Sequence, residues 1–376
     1  MDLLELRNEI DKIDNELLKL FVERMNITKN VAKYKIENNI PVLNSQREDE
    51  ILNSVAEKSG DLGDMMKIIF ATIMDVSRAN QHQIVGGGKM LRSSINNAKN
   101  IDISSLSANV VCAGVKGAYA GEASSRLFPN GKIQYVKDFG QVFMAVENKT
   151  ADYGVIPVEN STAGSVHEVY DLIMKHKVFV VGAMDLPINH CLCAKKGIEL
   201  KDIKKVYSHS QGLLQCGEFL EENNITAITH SNTAAAAKYV SENDFNDSAA
   251  VCSRFAANEY SLDVIAENVQ TSSNNATRFI VISRDMIISD DADKISLIFS
   301  LPHTTGSLYR VLGRFSMYGL NLTKIESRPI LDGNFSYNFY LDLSGNVRNQ
   351  KTLDLLCALS DELPLFTFLG NYKEIK

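Results

Sequence analysis

The first 85 positions carry one dominant pattern. Leu3, Leu6, Ile10, Ile13, Leu17 and Leu20 recur at alternating spacings of three and four, the stripe of a long amphipathic helix. Carried forward, the register lands on Arg24, Ile27 or Thr28, Val31 and Lys35, so two cations stand where apolar side chains are expected. Such a helix runs to roughly 50 Å at about 1.5 Å per residue, longer than a segment of this size covers by itself, which predicts a partner chain along it. A second helix is expected after Pro41 and a third from about Asp64 to Gln83, where Ile69, Ile73, Ser77 and Gln81 form one ridge with a polar end. Gly86-Gly87-Gly88 breaks the pattern, and residues 86–107, rich in Ser, Asn and Lys, are expected to be a linker.

From Asn109 short β-rich runs alternate with helices. The runs are Val110-Val111-Cys112, Tyr153 to Val158, Val178 to Met184, Val206-Tyr207, Ala249 to Cys252 and Phe279 to Ile282. This alternation predicts an α/β segment with mostly parallel sheet. Two lobes are expected, around residues 109–185 and 187–257, with the chain returning near 265–283. Residues 294–376 read strand, helix, strand, strand, helix, strand, over Ile295–Leu301, Ser307–Tyr318, Leu320–Ser327, Phe335–Leu343, Lys351–Ser360 and Leu365–Leu369. That order is the ferredoxin-like split βαβ pattern.

The length of 376 residues supports two or three domains. Apolar residues at 45% and charged residues at 23% are the balance of a soluble globular protein. A formal charge of −7 without any basic block argues against nucleic acid, so a small anion has to be captured by a few local cations. The start Met1-Asp2-Leu3-Leu4-Glu5 lacks the grammar of a signal peptide, and no apolar stretch approaches the roughly 20 residues of a membrane span. A cytoplasmic location is expected. The six cysteines are scattered, with Cys191 and Cys193 on one strand face. Two thiolates without clustered partners do not make a zinc site, so reduced core thiols are expected, and neither metal nor cofactor. No G-x-G-x-x-G follows the first strand of the α/β segment, which disfavours a nicotinamide dehydrogenase.

The cations of the helical segment narrow the chemistry. Arg24 and Lys35 sit in the stripe, Arg7 lies one turn past Leu3, and Arg47 opens the second helix. Buried cations without counter-charges are costly, so several converging ones point to an anionic ligand. Taken singly, each also fits snorkelling at a helix seam or an intermolecular salt bridge. Ser45-Gln46-Arg47-Glu48 reads as a capping box. Leu6-Arg7, Ile13-Asp14, Glu23-Arg24, Val31-Ala32-Lys33-Tyr34-Lys35, Arg47-Glu48, and Ser77 with Gln81 together resemble the all-helical chorismate mutases, over nearly all of residues 1–85. The resemblance implies that Arg24, Arg47 and Arg7 clamp the carboxylates of chorismate, with Arg7 from a partner chain. It also implies that Lys35 and Gln81 hydrogen-bond the ether oxygen, that Glu48 holds the ring hydroxyl, and that Ser77 joins the substrate-binding set. A pericyclic rearrangement needs no nucleophile, only a held conformer and stabilised oxygen charge. Asn44 stands where that family often has Asp, so ring-hydroxyl contacts can differ.

In the α/β segment, hydroxyl- and amide-rich turns follow strands: Pro157 to Gly164, Ser208-His209-Ser210-Gln211-Gly212, and Ser231-Asn232-Thr233. Each reads as a helix N-cap, and caps at the carboxyl ends of parallel strands also bind anions. With Asn275-Ala276-Thr277-Arg278-Phe279, Gly114-Val115-Lys116-Gly117-Ala118-Tyr119, Glu159-Asn160-Ser161, Ser208-His209, Gln215-Cys216 and Ser231-Asn232-Thr233-Ala234, residues 108–285 resemble prephenate dehydratase. That family's fold is two α/β lobes about a cleft, similar to periplasmic binding proteins. The implied reaction removes water and carbon dioxide from prephenate, with Thr277 donating to the departing hydroxyl and Arg278 either binding a carboxylate or holding Thr277. Glu159, Asn160, Ser161, His209, Gln215, Thr233, Asn275 and Phe279 are the implied binding set, His209 standing equally well as a structural cap. Thr271 departs from a common family Asp.

In the last segment, Thr305-Gly306-Ser307-Leu308 opens a helix, and Glu326-Ser327-Arg328-Pro329 follows Gly319-Leu320-Asn321-Leu322-Thr323-Lys324-Ile325. Residues 294–376 thereby resemble the ACT regulatory domain of prephenate dehydratases. The resemblance implies phenylalanine bound at a pairing surface by Gly306, Ser307, Leu308, Asn321, Leu322, Glu326, Ser327, Arg328 and Pro329, where Ser307 replaces the usual Ala. The fold class expected is therefore multidomain: an all-α chorismate mutase domain over 1–85, an α/β two-lobed dehydratase domain over 108–285, and an α+β ferredoxin-like ACT domain over 294–376. A homo-oligomer, at least a dimer, is expected. Dehydration of arogenate, or a ligand-binding sensor without chemistry, remain alternatives.

Overall fold

The apolar stripe becomes α1 (Leu3–Glu37) in the computed structural model, which describes residues 2–272, 274–330 and 337–375. Asp2 starts it with a capping box, accepting from the Glu5 amide at 2.8 Å while Glu5 accepts from the Asp2 amide at 2.9 Å. α2 (Ser45–Lys58) and α3 (Gly63–Val85) follow. The cap of α2 corrects the expected box at Ser45: Asn44 accepts from the Arg47 amide at 3.0 Å, which leaves Glu48 available for other partners. Only Thr28 and Ala32 of α1 are buried, and Leu6, Ile10, Ile13, Leu17 and Leu20 are all exposed. Among the described residues of its own unit, the stripe stays uncovered.

Residues 86–107, expected as a linker, carry short elements of their own. Gly86 ends α3 in the left-handed conformation, α4 (Lys89–Asn96) follows, and Ile95 and Ile103 are buried. Polar composition concealed two buried apolar anchors, Ile95 and Ile103.

The chain divides into two units, Met1–Asn97 with Ile295–Phe368, and Ala98–Lys294 with Leu369–Lys376. The second unit holds two lobes. The first comprises β1 (Asn109–Ala113), α5 (Tyr119–Leu127), β2 (Lys132–Val136), α6 (Phe139–Glu147), β3 (Tyr153–Asn160), β4 (Gly164–Ser165), α7 (His167–Lys175) and β5 (Phe179–Pro187). After a crossover the second lobe runs β6 (Cys191–Ala194), β7 (Lys205–Ser208), α8 (Ser210–Gln215), α9 (Gly217–Glu222), β8 (Thr226–Thr229), α10 (Thr233–Glu242), β9 (Ser248–Cys252), α11 (Arg254–Glu259) and β10 (Asp263–Ala266). The chain then returns as β11 (Ala276–Ser283) between β5 and β3.

The second lobe's sheet has the order β10-β6-β9-β7-β8. The sheets are mixed rather than mostly parallel. β1 is parallel to β2 and β3, but the returning β11 is antiparallel to both neighbours, and β6 is antiparallel to β9 and β10. A strand that re-enters a lobe without a crossover helix reverses direction. Val110, Cys112, Val155, Leu186 and Val281 build the first lobe's core, and Cys191, Cys193, Ala236, Ala250 and Cys252 part of the second's. All six thiols are free and buried.

The C-terminal segment runs β12 (Lys294–Ser300), α12 (Ser307–Met317), β13 (Asn321–Pro329), β14 (Tyr337–Ser344), α13 (Gln350–Glu362) and β15 (Leu365–Tyr372), then β16 (Glu374–Ile375). Its sheet order is β13-β14-β12-β15, while β16 joins the first lobe's sheet beside β5, giving β16-β5-β11-β3-β1-β2 there. The expected strand start at Phe335 lies outside the described residues. No helix among those described is long and apolar enough to cross a membrane.

Candidate active sites

β11 begins where the two lobes meet, and Thr277 is its second residue, flanked by Asn160 of β3 and Leu186 of β5. The β11–β3 register shifts between Arg278 and Phe279, so β3 carries one extra residue there. Such bulges re-aim neighbouring side chains. Asn160 governs the local polarity. Its Oδ1 accepts from the backbone amides of Thr162 (3.1 Å) and Ala163 (2.9 Å), and its Nδ2 reaches the Ala276 carbonyl (3.2 Å). Those backbone groups cannot exchange roles, so the amide has one orientation. Its Nδ2 therefore donates to Thr277 Oγ1 at 2.9 Å and to Asn275 Oδ1 at 2.8 Å. With its oxygen already accepting, the Thr277 hydroxyl directs its own proton elsewhere.

The same logic extends across the lobes. Asn275, 4% exposed, donates to Gln215 Oε1 at 3.0 Å, and Gln215 donates to Thr162 Oγ1 at 3.1 Å. Gln215 Oε1 also lies 2.9 Å from His190 Nε2, which must then carry the proton, leaving Nδ1 to face the Tyr119 hydroxyl at 3.1 Å. Burial lowers the His190 pKa and the Gln215 hydrogen bond opposes this less strongly, so the ring is neutral. A Cβ on Gly212 would sit 3.1 Å from Ser208 Oγ and 3.7 Å from His190 Cε1, so a side chain there would crowd this junction. A cavity of about 370 Å³ borders Thr162, Gln215, Thr271 and Asn275.

The remaining residues of that motif set are placed differently. Arg278 grips Asp185 with two bonds of 2.8 Å and lies 3.1 Å from Glu374, bracing β11 to β5 and β16. Glu159 sits opposite Arg278 in the β3–β11 register. Phe279, expected at the ligand, is 2% exposed within the first lobe's core, because β11 becomes buried along its length from Phe279 onward. Ser161 ties down the start of β11, donating to the Asn274 carbonyl and accepting from the Ala276 amide, each at 3.0 Å. The Pro157–Gly164 turn connects β3 to β4 instead of capping a helix. His209 is exposed and caps α8 through Nδ1, and Asn232 caps α10, whose first residue is Thr233.

In the other unit, α1 and α3 bring Arg24 to Ser77, whose hydroxyl in turn donates to the Ile73 carbonyl at 2.7 Å. Lys35 donates to the Val42 carbonyl at 2.5 Å. Burial lowers the pKa of both cations, and Lys35 also feels Glu48, which raises it, and Arg78, which lowers it. Among the described residues neither makes an ion pair. Gln81 is 7% exposed with its carbonyl oxygen unpartnered. Two partly desolvated cations that make no ion pair among the described residues suit a small anion. Arg47 is exposed and pairs with Glu50 at 3.2 Å. Arg7 is exposed on α1 and, at about 1.5 Å per residue, lies roughly 25 Å along the helix from Arg24.

Residues 6–82 match the chorismate mutase type II family, and residues 110–287 match the prephenate dehydratase family. A bifunctional chorismate mutase/prephenate dehydratase of Aquifex aeolicus (strain VF5) is 32% identical over 375 residues, 99% of this chain and 98% of that protein. The chain belongs to the bifunctional chorismate mutase/prephenate dehydratase family. An arogenate dehydratase 2 of Petunia hybrida is 37% identical over 279 residues, covering 70% of this chain and 71% of that protein. The structure of prephenate dehydratase from Arthrobacter aurescens in complex with L-Phe is similar at a TM-score of 0.65 and 30% identity, covering 70% of this chain and 89% of that one.

Within the dehydratase domain, sequence reasoning missed His190. It sits in a crossover, outside every motif, and only the flanking Asn189 and Cys191 hinted at a polar point entering a buried strand. Within the mutase domain it missed Asp75 and Arg78, which are 3% and 5% exposed. Their signal was present as two charges three apart on a helix otherwise rich in Met, Ile and Ala.

Proposed function

We propose that the chain rearranges chorismate to prephenate at the α1–α3 site and then converts prephenate to phenylpyruvate beside Thr277, with phenylalanine as feedback effector. The orientation of Thr277 carries the second assignment. In that reaction the carboxylate leaves as carbon dioxide and its bonding pair flows into the ring. Aromatisation expels the ring hydroxyl, which takes up a proton and departs as water. A threonine hydroxyl is a weak acid but a good oriented donor, and Asn160 fills its acceptor position so that its proton is offered outward. Arg278, already committed to Asp185, acts as a brace for Thr277. No nucleophile is needed at the mutase site. Arg24 and Lys35 suit the substrate's carboxylates and ether oxygen, and Gln81 offers its amide.

The C-terminal segment suits an ACT regulatory domain. Gly306, at φ +80° with open space where a Cβ would lie, precedes α12, and the edge strand β13 carries Asn321, Leu322, Glu326, Ser327, Arg328 and Pro329 with none of them buried. The L-Phe complex of the Arthrobacter aurescens relative supports phenylalanine as the ligand. The exposed stripe of α1 supports a homo-oligomer, and the free thiols suit a cytoplasmic location.

A second reading is supported by the Petunia hybrida relative: the ring acid dehydrated is arogenate. One assay tests both. Purified protein given chorismate should release phenylpyruvate, with kcat/KM for prephenate above that for arogenate and activity falling when phenylalanine is added. Preference for arogenate would replace the substrate assignment, and prephenate binding without product would make the cleft a sensor.

A further inference from the structure

Helices α2 and α3 share with α12 and α13 a closed cluster of charge. Arg78 of α3 pairs with Glu48 of α2 and Asp75 of its own helix, and its Nε lies 3.3 Å from Glu362 at the end of α13. Arg314 of α12 binds Glu362 at 2.6 Å, and His82 Nε2 lies 2.7 Å from the same carboxylate. Burial works to raise the Glu362 carboxyl, but the His82 hydrogen bond and the charges of Arg314 and Arg78 outweigh it and hold it at about 2. Arg310 completes the set from α12. Its Nε and Nη2 clasp Asp75 at 3.1 and 3.0 Å, and Nη2 stands 3.6 Å from Glu48 Oε2. Three arginines thus face three carboxylates, with His82 beside one of them.

Removing Arg310 would leave Arg78 to serve both Asp75 and Glu48 while still touching Glu362. An unbalanced buried carboxylate is costly, so the cluster would rearrange around Glu48. Glu48 stands on the first turn of α2, whose lead-in Lys35 holds through the Val42 carbonyl, and its charge acts on Lys35, which places the rearrangement at the mutase site. Arg310 is equally bound to the other end of the segment. Its amide donates to the Gly306 carbonyl at 3.0 Å, so it stands one turn from Gly306 and Ser307. A cavity of about 220 Å³ bordered by Glu48, Asp75, Arg78, Thr305, Ser307 and Arg310 leaves the first turn of α12 room to shift.

We infer that Arg310 is a positioning residue for Glu48 and that it carries the state of the C-terminal segment into the mutase site. The inference rests on the proposed mutase and effector readings. It adds a direction: an effector at Gly306–Leu308 changes the mutase by moving Arg310, and acts on the dehydratase by another route.

The test compares the full-length chain with Arg310→Met, Arg310→Lys and the charge-balanced double variant Arg310→Met with Asp75→Asn. Each is assayed for mutase on chorismate and for dehydratase on prephenate, with and without phenylalanine, and thermal unfolding is followed throughout. Arg310→Met should lower mutase kcat/KM by about tenfold and make the mutase indifferent to phenylalanine, while dehydratase turnover and its phenylalanine response persist. Arg310→Lys and the double variant should recover most of the mutase loss, which a merely packing role would not produce. Unchanged mutase kinetics in a folded Arg310→Met protein, or loss of the phenylalanine response by both activities together, overturns the inference. A wild-type chain without mutase turnover would instead remove the reading beneath it, and the inference with it.

Discussion

At the scale of single residues, Thr277 illustrates how backbone groups decide side-chain chemistry. The amides of Thr162 and Ala163 fix Asn160, Asn160 fixes the Thr277 oxygen, and the hydroxyl proton is left for another acceptor. Thr277→Ala should therefore lower dehydratase kcat by about 10²-fold or more, the range of a lost positioned donor, while chorismate mutase turnover stays near wild type. Thr277→Ser should retain far more activity, because the Asn160 bond survives. Equal loss of both activities in Thr277→Ala, measured on separate substrates, would contradict the separation of the two sites. The Thr277 motif stood out in the sequence because a short polar run before a β-rich run is legible. His190 did not, since its partners Tyr119 and Gln215 are remote along the chain and only the fold brings them together.

Elements were legible where periodicity is local. The stripe of α1, the βα alternation and the C-terminal strand–helix order all depend on spacings of two to four residues, which the sequence displays directly. Features that depend on distant approach were hidden. Glu48 looked like half of a capping box, yet Asn44 does the capping and Glu48 turns to Arg78 and Arg310. Three consecutive glycines suggested slack, yet Gly88 starts α4 at φ +64°, where a Cβ would lie 2.5 Å from Cys357 Cβ on α13. The glycine serves a close helix approach. Gly88→Ala should lower stability by about 1–3 kcal/mol, combining a left-handed conformation with an overlap. Chemical denaturation would report it as a lower midpoint, and an unchanged midpoint would contradict the close approach of Gly88 to α13.

At the scale of the whole molecule, sequence order and spatial grouping part company. The segment after residue 294 belongs mostly with the N-terminal helices, so the regulatory reading of one and the mutase reading of the other share a single body. Composition could not reveal this, because Asp75, Arg78, Arg310 and Glu362 each look like ordinary surface charges until they are found buried or half-buried together. The bare stripe of α1 has a consequence of a different kind. Should a second copy lie along it and supply Arg7 to the site of Arg24, each working mutase centre is built from two polypeptides. Chains carrying Arg7→Ala and chains carrying Arg24→Ala would then each be inactive alone. Unfolded and refolded together in equal amounts, they should regain about a quarter of wild-type mutase activity, since half the dimers are mixed and each mixed dimer holds one intact centre of two. Recovery of none would mean that both arginines serve one polypeptide, and so the mutase genotype of a cell holding two alleles would be read chain by chain rather than pair by pair.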